Sequence, residues 1–149
     1  MPAVSEFRQI DWSSAEYLQE LDLRNRILRI PLGRNLMDEN LDNEKADFHL
    51  GAFVEDRLVG VLILTPVSGI ILKMRQVAID SDVQGKGIGQ QLVRYSETFA
   101  SHLGYRKIQL HARQTAVSFY LKLNYQLVGE EFMEVGLPHR KMEKDLVAV

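Results

Sequence analysis

The sequence predicts one domain of the α/β class, α+β by some schemes, in which strands and helices combine around one sheet. Three observations support this prediction. Apolar runs separated by short polar turns predict an antiparallel meander, a helical period of apolar residues begins after Gly87, and two further strand candidates flank a turn near the end. The 149 residues, 46% of them hydrophobic, suit a single domain over residues 1–149.

The composition excludes several classes of function. The formal net charge of -2 provides no basic field, so we expect neither a nucleic-acid nor a membrane partner. No segment approaches the roughly 18 consecutive apolar residues of a membrane span, and the polar residues 1–11 lack the regions of a signal peptide. We therefore expect a cytoplasmic protein. Cysteine is absent, which excludes disulfides, thiolate zinc sites and a cysteine nucleophile.

The N-terminal part predicts a strand, a helix and a loose connection. Residues 4–10 form a strand candidate, and Ser13 is the predicted N-cap of the helix that follows. The helix is expected to run towards Ile30, because Pro31 has no N–H to donate. Residues 33–47 are rich in Asn and Asp, and we expect a mobile connection there with a single helical turn.

The rest of the chain predicts a meander followed by alternating helices and strands. The predicted elements are strands 48–54, 58–67 and 70–79, a helix from 87 to a stop at Gly104, strand 107–112, a short helix over 116–123, and strands 126–133 and 140–147. The last two strands surround a turn at residues 136–138.

A glycine-rich segment, Gln84-Gly85-Lys86-Gly87-Ile88-Gly89, joins a predicted strand to the long helix. Glycines there let backbone N–H groups converge on an anion at the helix N-terminus. A Walker loop needs Ser or Thr after its lysine, but Gly87 follows Lys86, and the spacing G-x-G-x-G is not that of a dinucleotide loop. The alternative is an ordinary turn. We favour the anion site, because glycines entering a helix cost about 1 kcal/mol each.

The pattern Q-x-x-G-x-G over residues 84–89 resembles the acetyl-CoA loop of the GCN5-related N-acetyltransferase (GNAT) family, and residues 131–139 are similar to its ElaA-like subgroup. The resemblance extends from Phe48 to about Met142. It implies the acyl-CoA N-acyltransferase fold, with a mixed, mostly antiparallel sheet of about six to seven strands flanked by helices. It also implies acetyl-CoA as co-substrate and no metal.

The same resemblance implies where acetyl-CoA binds. In relatives the loop amides hold the pyrophosphate, and the preceding strand splays from its neighbour and offers its backbone to the pantetheine arm. Arg113 stands where many relatives have an asparagine, and it can reach the CoA phosphates instead. The implied cofactor-binding residues are Gln76, Val77, Ala78, Ile79, Gln84, Gly85, Lys86, Gly87, Ile88, Gly89, Gln90, Arg113, Phe119 and Tyr120.

Residues 116–125 are similar to the second signature of the family, A-x-x-F-Y-x-x-x-G-F/Y, with Tyr120 in the tyrosine position and Asn124 in place of the glycine. The resemblance implies that the Tyr120 phenol protonates the departing thiolate of CoA. The alternative is that Tyr120 packs with Phe119 against the sheet. Asn124 is a mild change, because Asn tolerates the left-handed backbone.

The acceptor end of the reaction is less defined by the sequence. The resemblance implies direct attack by a primary amine of a small molecule or peptide, deprotonated by a carboxylate, a histidine or an ordered water. The candidates for this base are His139, His111, Glu131 and Glu134. We favour a surface role for the two glutamates, whereas for the two histidines a base and a surface role are equally open.

Residues for acceptor recognition are proposed from their position. Arg26 and Arg29 lie on and after the first helix with Arg24 and Arg34, where relatives form one wall of the acceptor site, and His139 is a further candidate. These arginines either recognise an acidic acceptor or remain solvated.

Two other functions remain as alternatives. A catalytically inactive CoA-binding or sensing module would keep the glycine loop without turnover, whereas a structural interaction domain would not need that loop. The last two strands exchange or pair between subunits in many relatives, so the resemblance allows a homodimer.

Overall fold

A computed structural model describes residue 4 and residues 6–147 of the chain. Its strands are β1 (Glu6–Ile10), β2 (Phe48–Val54), β3 (Arg57–Pro66), β4 (Ile71–Ile79), β5 (Lys107–Arg113), β6 (Gln126–Glu134) and β7 (Leu137–Asp145). Its α-helices are α1 (Ala15–Leu28), α2 (Ile88–His102) and α3 (Val117–Lys122). Short 3-10 turns cover Ile30–Leu32, Leu36–Asp38, Asp42–Glu44, Ser81–Val83 and Gln114–Ala116.

The described strands form a 7-stranded sheet in the order β1-β2-β3-β4-β5-β7-β6. The pairing is mostly antiparallel, and β4 pairs with β5 in parallel. The predicted class and the mixed sheet flanked by helices are therefore confirmed. None of the helices in the described residues is long and apolar enough to span a membrane.

The chain divides into two compact units. The first unit contains the residues up to Thr65 together with Gln76–Ser96, and the second contains Pro66–Arg75 together with the residues from Glu97 onward.

The first unit is built on the antiparallel ladder of β1, β2 and β3. The strand predicted over 4–10 begins at Glu6, and residue 5 lies outside the described residues. The turn between β2 and β3 places Glu55 and Asp56 in the left-handed region, with φ of 49 and 67. Side chains of this unit bury a core of Ile10, Tyr17, Leu23, Phe53, Leu58, Val61 and Ala78.

Helix α1 begins and ends at residues that differ from the prediction. Ser14, not Ser13, is the N-cap, and its hydroxyl accepts a hydrogen bond of 3.2 Å from the Tyr17 N–H. The helix ends at Leu28 rather than near Ile30, and Pro31 lies in the 3-10 turn that follows. The cap therefore sits where its oxygen reaches the N–H three residues on.

A buried ion network fastens α1 to the segment before β2. Arg24, with 0% of its surface exposed, donates two hydrogen bonds of 2.9 Å to the Glu44 carboxylate and one of 3.1 Å to Glu20. His49 donates from Nδ1 to Glu20 at 2.7 Å and from Nε2 to the Glu44 carbonyl at 2.8 Å. Both ring nitrogens face acceptors, so His49 is an imidazolium and the charges of the four side chains balance.

This network corrects the prediction for residues 33–47. They contain two 3-10 turns, Leu36–Asp38 and Asp42–Glu44, instead of a single helical turn in a mobile connection. The Glu44 side chain anchors the segment, because an unpaired buried carboxylate would be costly.

The second unit is built on β5, β7 and β6 and on the beginning of β4. Strand β5 pairs with β7 from Lys107 opposite Asp145 to Arg113 opposite His139. Strand β6 carries a bulge between Val128 and Phe132. The buried Tyr125 donates a hydrogen bond of 2.9 Å from its hydroxyl to Glu97.

The buried His49 makes stability depend on pH. Burial alone would lower its pKa, but the hydrogen bond and charge of Glu20 raise the pKa above 6.5. A raised pKa in the folded state contributes stability that is fully present below the unfolded value and is lost as pH rises through the folded value. We expect the unfolding free energy to fall as pH rises above about 6.5 in the wild type, and to fall less in His49→Gln.

Urea unfolding between about pH 6 and pH 9 measures this difference. The exposed His102 provides a matched control, and His102→Gln is expected to keep the wild-type pH dependence. The same pH dependence in His49→Gln as in the wild type would contradict the role of the imidazolium.

Candidate functional site

The glycine-rich segment of the first unit forms the entry to α2. Gly85 and Gly87 have φ of 79 and 81, in the left-handed region that glycine adopts without steric cost. A Cβ atom added at either residue would meet nothing within 4 Å. The backbone conformation, rather than a lack of space, therefore requires glycine at these positions.

The first turn of α2 presents backbone donors that have no partner among the described residues. The Gln91 N–H donates to the Gly87 carbonyl at 3.1 Å, which begins the helical hydrogen bonding. Within the described residues, no hydrogen bond is donated by the backbone N–H groups of Gly87, Ile88, Gly89 and Gln90. Free N–H groups and the positive end of the helix dipole together suit an anion.

Side chains fix the position of this turn. Ile88 is buried beside the helix start, and Leu92 is buried one turn later. The Gln84 amide donates a hydrogen bond of 3.0 Å to the Ile79 carbonyl and so ties the loop to the end of β4. Lys86 is exposed, and its ammonium group makes no ion pair within the described chain.

The segment predicted to bind pantetheine lies at the end of β4. The parallel register with β5 covers Ile71–Met74, and β4 continues to Ile79. Gln76 has a φ of 57, although it is neither glycine nor in a turn. The Gln76 Oε1 atom accepts hydrogen bonds from Arg29 Nη2 at 3.2 Å and from Arg24 Nε at 3.4 Å.

The arginines predicted to contact the acceptor are held by carboxylates. Arg26 contacts Asp22 at 2.9 Å and Asp80 at 3.3 Å. Arg29 donates to both oxygens of Glu39, at 2.5 and 3.0 Å. Arg24 is neither solvated nor at the surface, which corrects the expectation for that residue.

Asp80 follows β4 and is shared by two guanidinium groups. Arg26 lies 3.3 Å and Arg57 3.2 Å from its Oδ2 atom. Burial would raise the pKa of Asp80, but these two hydrogen bonds outweigh burial and lower the pKa. Asp80 is therefore ionised at neutral pH, and its charge is compensated by Arg26 and Arg57.

Tyr120 lies in α3, in the second unit. Its ring is 8% exposed and stands edge-on to Phe119 and Tyr125, with ring centroids 5.0 and 5.7 Å away. Burial raises its pKa to about 12. Its hydroxyl has no hydrogen bond within the described residues. The phenol therefore keeps its proton at neutral pH.

Three of the predicted bases come together in the second unit. His111 Nδ1 lies 2.9 Å from Glu134 Oε1, and His139 Nε2 lies 3.6 Å from Glu134 Oε2. His139 Nδ1 donates to the Leu137 carbonyl at 2.9 Å. Burial would raise the pKa of Glu134, but the hydrogen bond and charge of His111 lower it.

Glu131 is separate from this group. It lies in the bulge of β6, is exposed, and has no hydrogen bond or ion pair within the described residues. Arg113, at the end of β5, is likewise exposed without an ion pair in the described part. Over residue 4 and residues 6–147, no group of three or more His, Asp or Glu residues is arranged to hold a metal ion.

Sequence reasoning missed the contacts of Gln76 with Arg24 and Arg29. The spacing of Glu20 and Arg24 on one helix is a usable signal for an ion pair. Nothing in the sequence places Gln76 beside that pair, because Arg24 and Gln76 are 52 positions apart.

Comparison with known proteins supports the assignment of the fold. An acetyltransferase (GNAT) domain model matches residues 29–146. The uncharacterized protein YyaT of Bacillus subtilis is 32% identical over 80 residues, and that match covers 54% of each chain. The chain thus spans about half the length of that curated relative.

Solved structures share the fold at low identity. The chain resembles Escherichia coli ElaA with a TM-score of 0.78 and 21% identity, over 93% of this chain and 98% of ElaA. It also resembles an aminoglycoside 6'-N-acetyltransferase complexed with coenzyme A, with a TM-score of 0.78 and 19% identity, over 97% of this chain and 98% of that one. These findings confirm the predicted acyl-CoA N-acyltransferase fold, and the domain match shows that the chain belongs to the GNAT acetyltransferase family.

Proposed function

We propose that this chain transfers an acetyl group from acetyl-CoA to a primary amine of a small-molecule or peptide acceptor. The observation that carries the proposal is the set of backbone N–H groups of residues 87–90 at the start of α2, which have no partner in the part of the chain that the structure describes. A CoA pyrophosphate is an anion of suitable size and charge for such donors. Family membership and the CoA complex of a protein with the same fold support this ligand over a generic phosphate.

Acetyl-CoA, the acetyl donor, is proposed to contact three groups of residues. Gln84, Gly85, Lys86, Gly87, Ile88, Gly89 and Gln90 surround the pyrophosphate, with Lys86 as an additional cation. Gln76, Val77, Ala78 and Ile79 offer backbone groups to the pantetheine arm. Arg113 is proposed to bind a CoA phosphate because its guanidinium is exposed and unpaired within the described residues, and Phe119 offers an apolar ring.

The reaction needs an acid at sulfur, and Tyr120 is the proposed acid. The amine nitrogen attacks the thioester carbonyl, the C–S bond breaks, and the sulfur takes the phenol proton as the bond cleaves. With its pKa raised to about 12, Tyr120 is protonated at neutral pH, so the phenol carries the proton that the departing sulfur takes.

The reaction also needs a base for the amine, and His111 is the proposed base. Glu134, whose pKa is lowered, accepts a hydrogen bond from His111 Nδ1, and this contact orients the ring with Nε2 directed away from the carboxylate. His139 is more deeply buried and uses Nδ1 for the Leu137 carbonyl, so we propose it for acceptor positioning. Among the described residues no group orients Glu131, so it is the weaker candidate.

The acceptor is proposed to be neutral or cationic rather than acidic. Arg26 and Arg29 each already contact a carboxylate, so their charges are compensated. They can still line the acceptor-binding surface, but an acidic acceptor would have to displace Asp22 or Glu39. Dimerisation through the last two strands and a cytoplasmic location stay predictions.

Release of CoA tests the function. We expect incubation with acetyl-CoA and a panel of amines to produce free thiol only when a suitable amine is present. The chain itself has 0 cysteines, so a thiol reagent reports CoA alone. Tight CoA binding without amine-dependent thiol release would contradict turnover and favour the binding or sensing module.

Substitution Tyr120→Phe tests the proposed acid. Loss of the phenol proton is expected to lower kcat by about 100-fold, while the KM for acetyl-CoA changes by less than about twofold. Steady-state kinetics measures both constants, and an unchanged melting temperature shows that the buried ring still packs. An unchanged kcat would assign Tyr120 to the core instead.

Substitution His111→Gln tests the proposed base. We expect kcat/KM at neutral pH to fall by about 100-fold, because the amine loses its proton acceptor. Glu131→Gln is the matched comparison from the same group of candidates, with an expected change of less than about twofold. The reverse order of the two effects would make Glu131 the base.

A further inference from the structure

We propose that Gln76 is a positioning residue for donor binding. Arg24 and Arg29 hold its side chain, and this anchor keeps the left-handed backbone conformation at Gln76 that presents the backbone of Val77–Ile79 to the pantetheine arm. The inference rests on the proposed function, since it assigns a task to this backbone within the acetyl-CoA site.

The left-handed backbone conformation of Gln76 within β4 needs an anchor. Its φ of 57 lies in a region that residues with a Cβ atom rarely adopt. Relative to an extended conformation, such a residue is disfavoured by roughly 5- to 30-fold in population. Asn, Asp and Gly are the residues that reach this region most easily, so a glutamine there must be held by contacts of its own.

The guanidinium groups that bind Gln76 are themselves fixed. Glu44 and Glu20 hold Arg24, which is 0% exposed. Glu39 holds Arg29 through two hydrogen bonds. The two donors that reach Gln76 Oε1, Arg24 Nε and Arg29 Nη2, therefore point from positions set by carboxylates and not by Gln76 itself.

The other end of the segment is held in a comparable way. The Gln84 amide donates to the Ile79 carbonyl at 3.0 Å. Between the two ends, Ala78 points into the core and is 1% exposed. The backbone of Val77–Ile79 is thus fixed at its start, its middle and its end before any ligand binds, which reduces the cost of ordering it on binding.

A purely structural role is the competing explanation. In that case the Gln76 amide only satisfies buried N–H groups of the arginines, and its loss affects stability alone. The two roles differ in their kinetic result. Lower stability reduces the active fraction and the apparent kcat, whereas a displaced backbone raises the KM for acetyl-CoA.

Three substitutions separate the effect of the side-chain amide from that of the left-handed backbone conformation. Gln76→Ala removes the acceptor and keeps a Cβ atom, Gln76→Gly removes both, and Gln76→Glu keeps an acceptor for both arginines. We expect Gln76→Ala to raise the KM for acetyl-CoA by about tenfold with kcat within about twofold. Gln76→Gly is expected to recover most of this loss, because glycine adopts a positive φ without an anchor. Gln76→Glu is likewise expected to have a lower KM for acetyl-CoA than Gln76→Ala.

Asp56→Ala is the matched control for backbone strain. Asp56 has a φ of 67 in the turn between β2 and β3, so alanine there carries a similar strain. We expect this variant to lower the melting temperature without changing the KM for acetyl-CoA.

Two results would overturn the positioning role. One is an unchanged KM for acetyl-CoA in Gln76→Ala, and the other is a KM in Gln76→Gly that is raised as much as in Gln76→Ala. A wild-type chain that neither binds CoA nor turns over would instead contradict the proposed function itself.

Discussion

The proposed donor site depends on the backbone conformation at the entry to α2. Gly85 and Gly87 take left-handed conformations, and the N–H groups of residues 87–90 are left without partners in the described chain. The buried side chains of Ile88 and Leu92 hold this end of the helix in place. An anion site of this kind needs no dedicated cationic side chain, because peptide dipoles provide the positive potential.

A second feature, the buried ions around Arg24, bears on geometry more than on stability. Arg24, Glu20, Glu44 and His49 balance in charge, yet burying ions costs free energy that their attraction only partly returns. The arrangement therefore makes little sense as a source of stability alone. The contact of Arg24 with Gln76 gives a reason for the position of these ions, since a rigid guanidinium can hold a strained backbone conformation within β4.

The features that local sequence determines were predicted, and those that depend on distant partners were not. The spacing of Gly85, Gly87 and Gly89 predicts the start of the helix, because the conformational freedom of each glycine is a local property of its own backbone. Ser13 and Ser14 are adjacent and have equal capping tendency, so the N-cap was misplaced by one position. Glu44, which binds Arg24, lies 20 positions away from it in the sequence, so helical spacing does not predict this ion pair.

The candidate bases show the same limit for strands. Alternation along a regular strand would decide which glutamate shares a face with His139. Phe132 pairs with His139 and Glu134 pairs with Leu137, so Glu134 shares a face with His139, whereas Glu131 lies in the bulge between Val128 and Phe132. The cross-strand pairing, which alternation within β6 alone does not give, therefore decides that Glu134 reaches the imidazoles.

The central claim is that the entry to α2 binds the pyrophosphate of CoA. Calorimetric titration with acetyl-CoA and with acetyl-pantetheine, which lacks the pyrophosphate, tests it most directly. The account predicts that the wild type prefers acetyl-CoA by at least about 100-fold, and that Gly87→Ala weakens acetyl-CoA by about tenfold while Gly69→Ala, in an open turn without positive φ, does not. Equal affinity of the wild type for the two ligands, or an equal loss for both in Gly87→Ala, would contradict the claim.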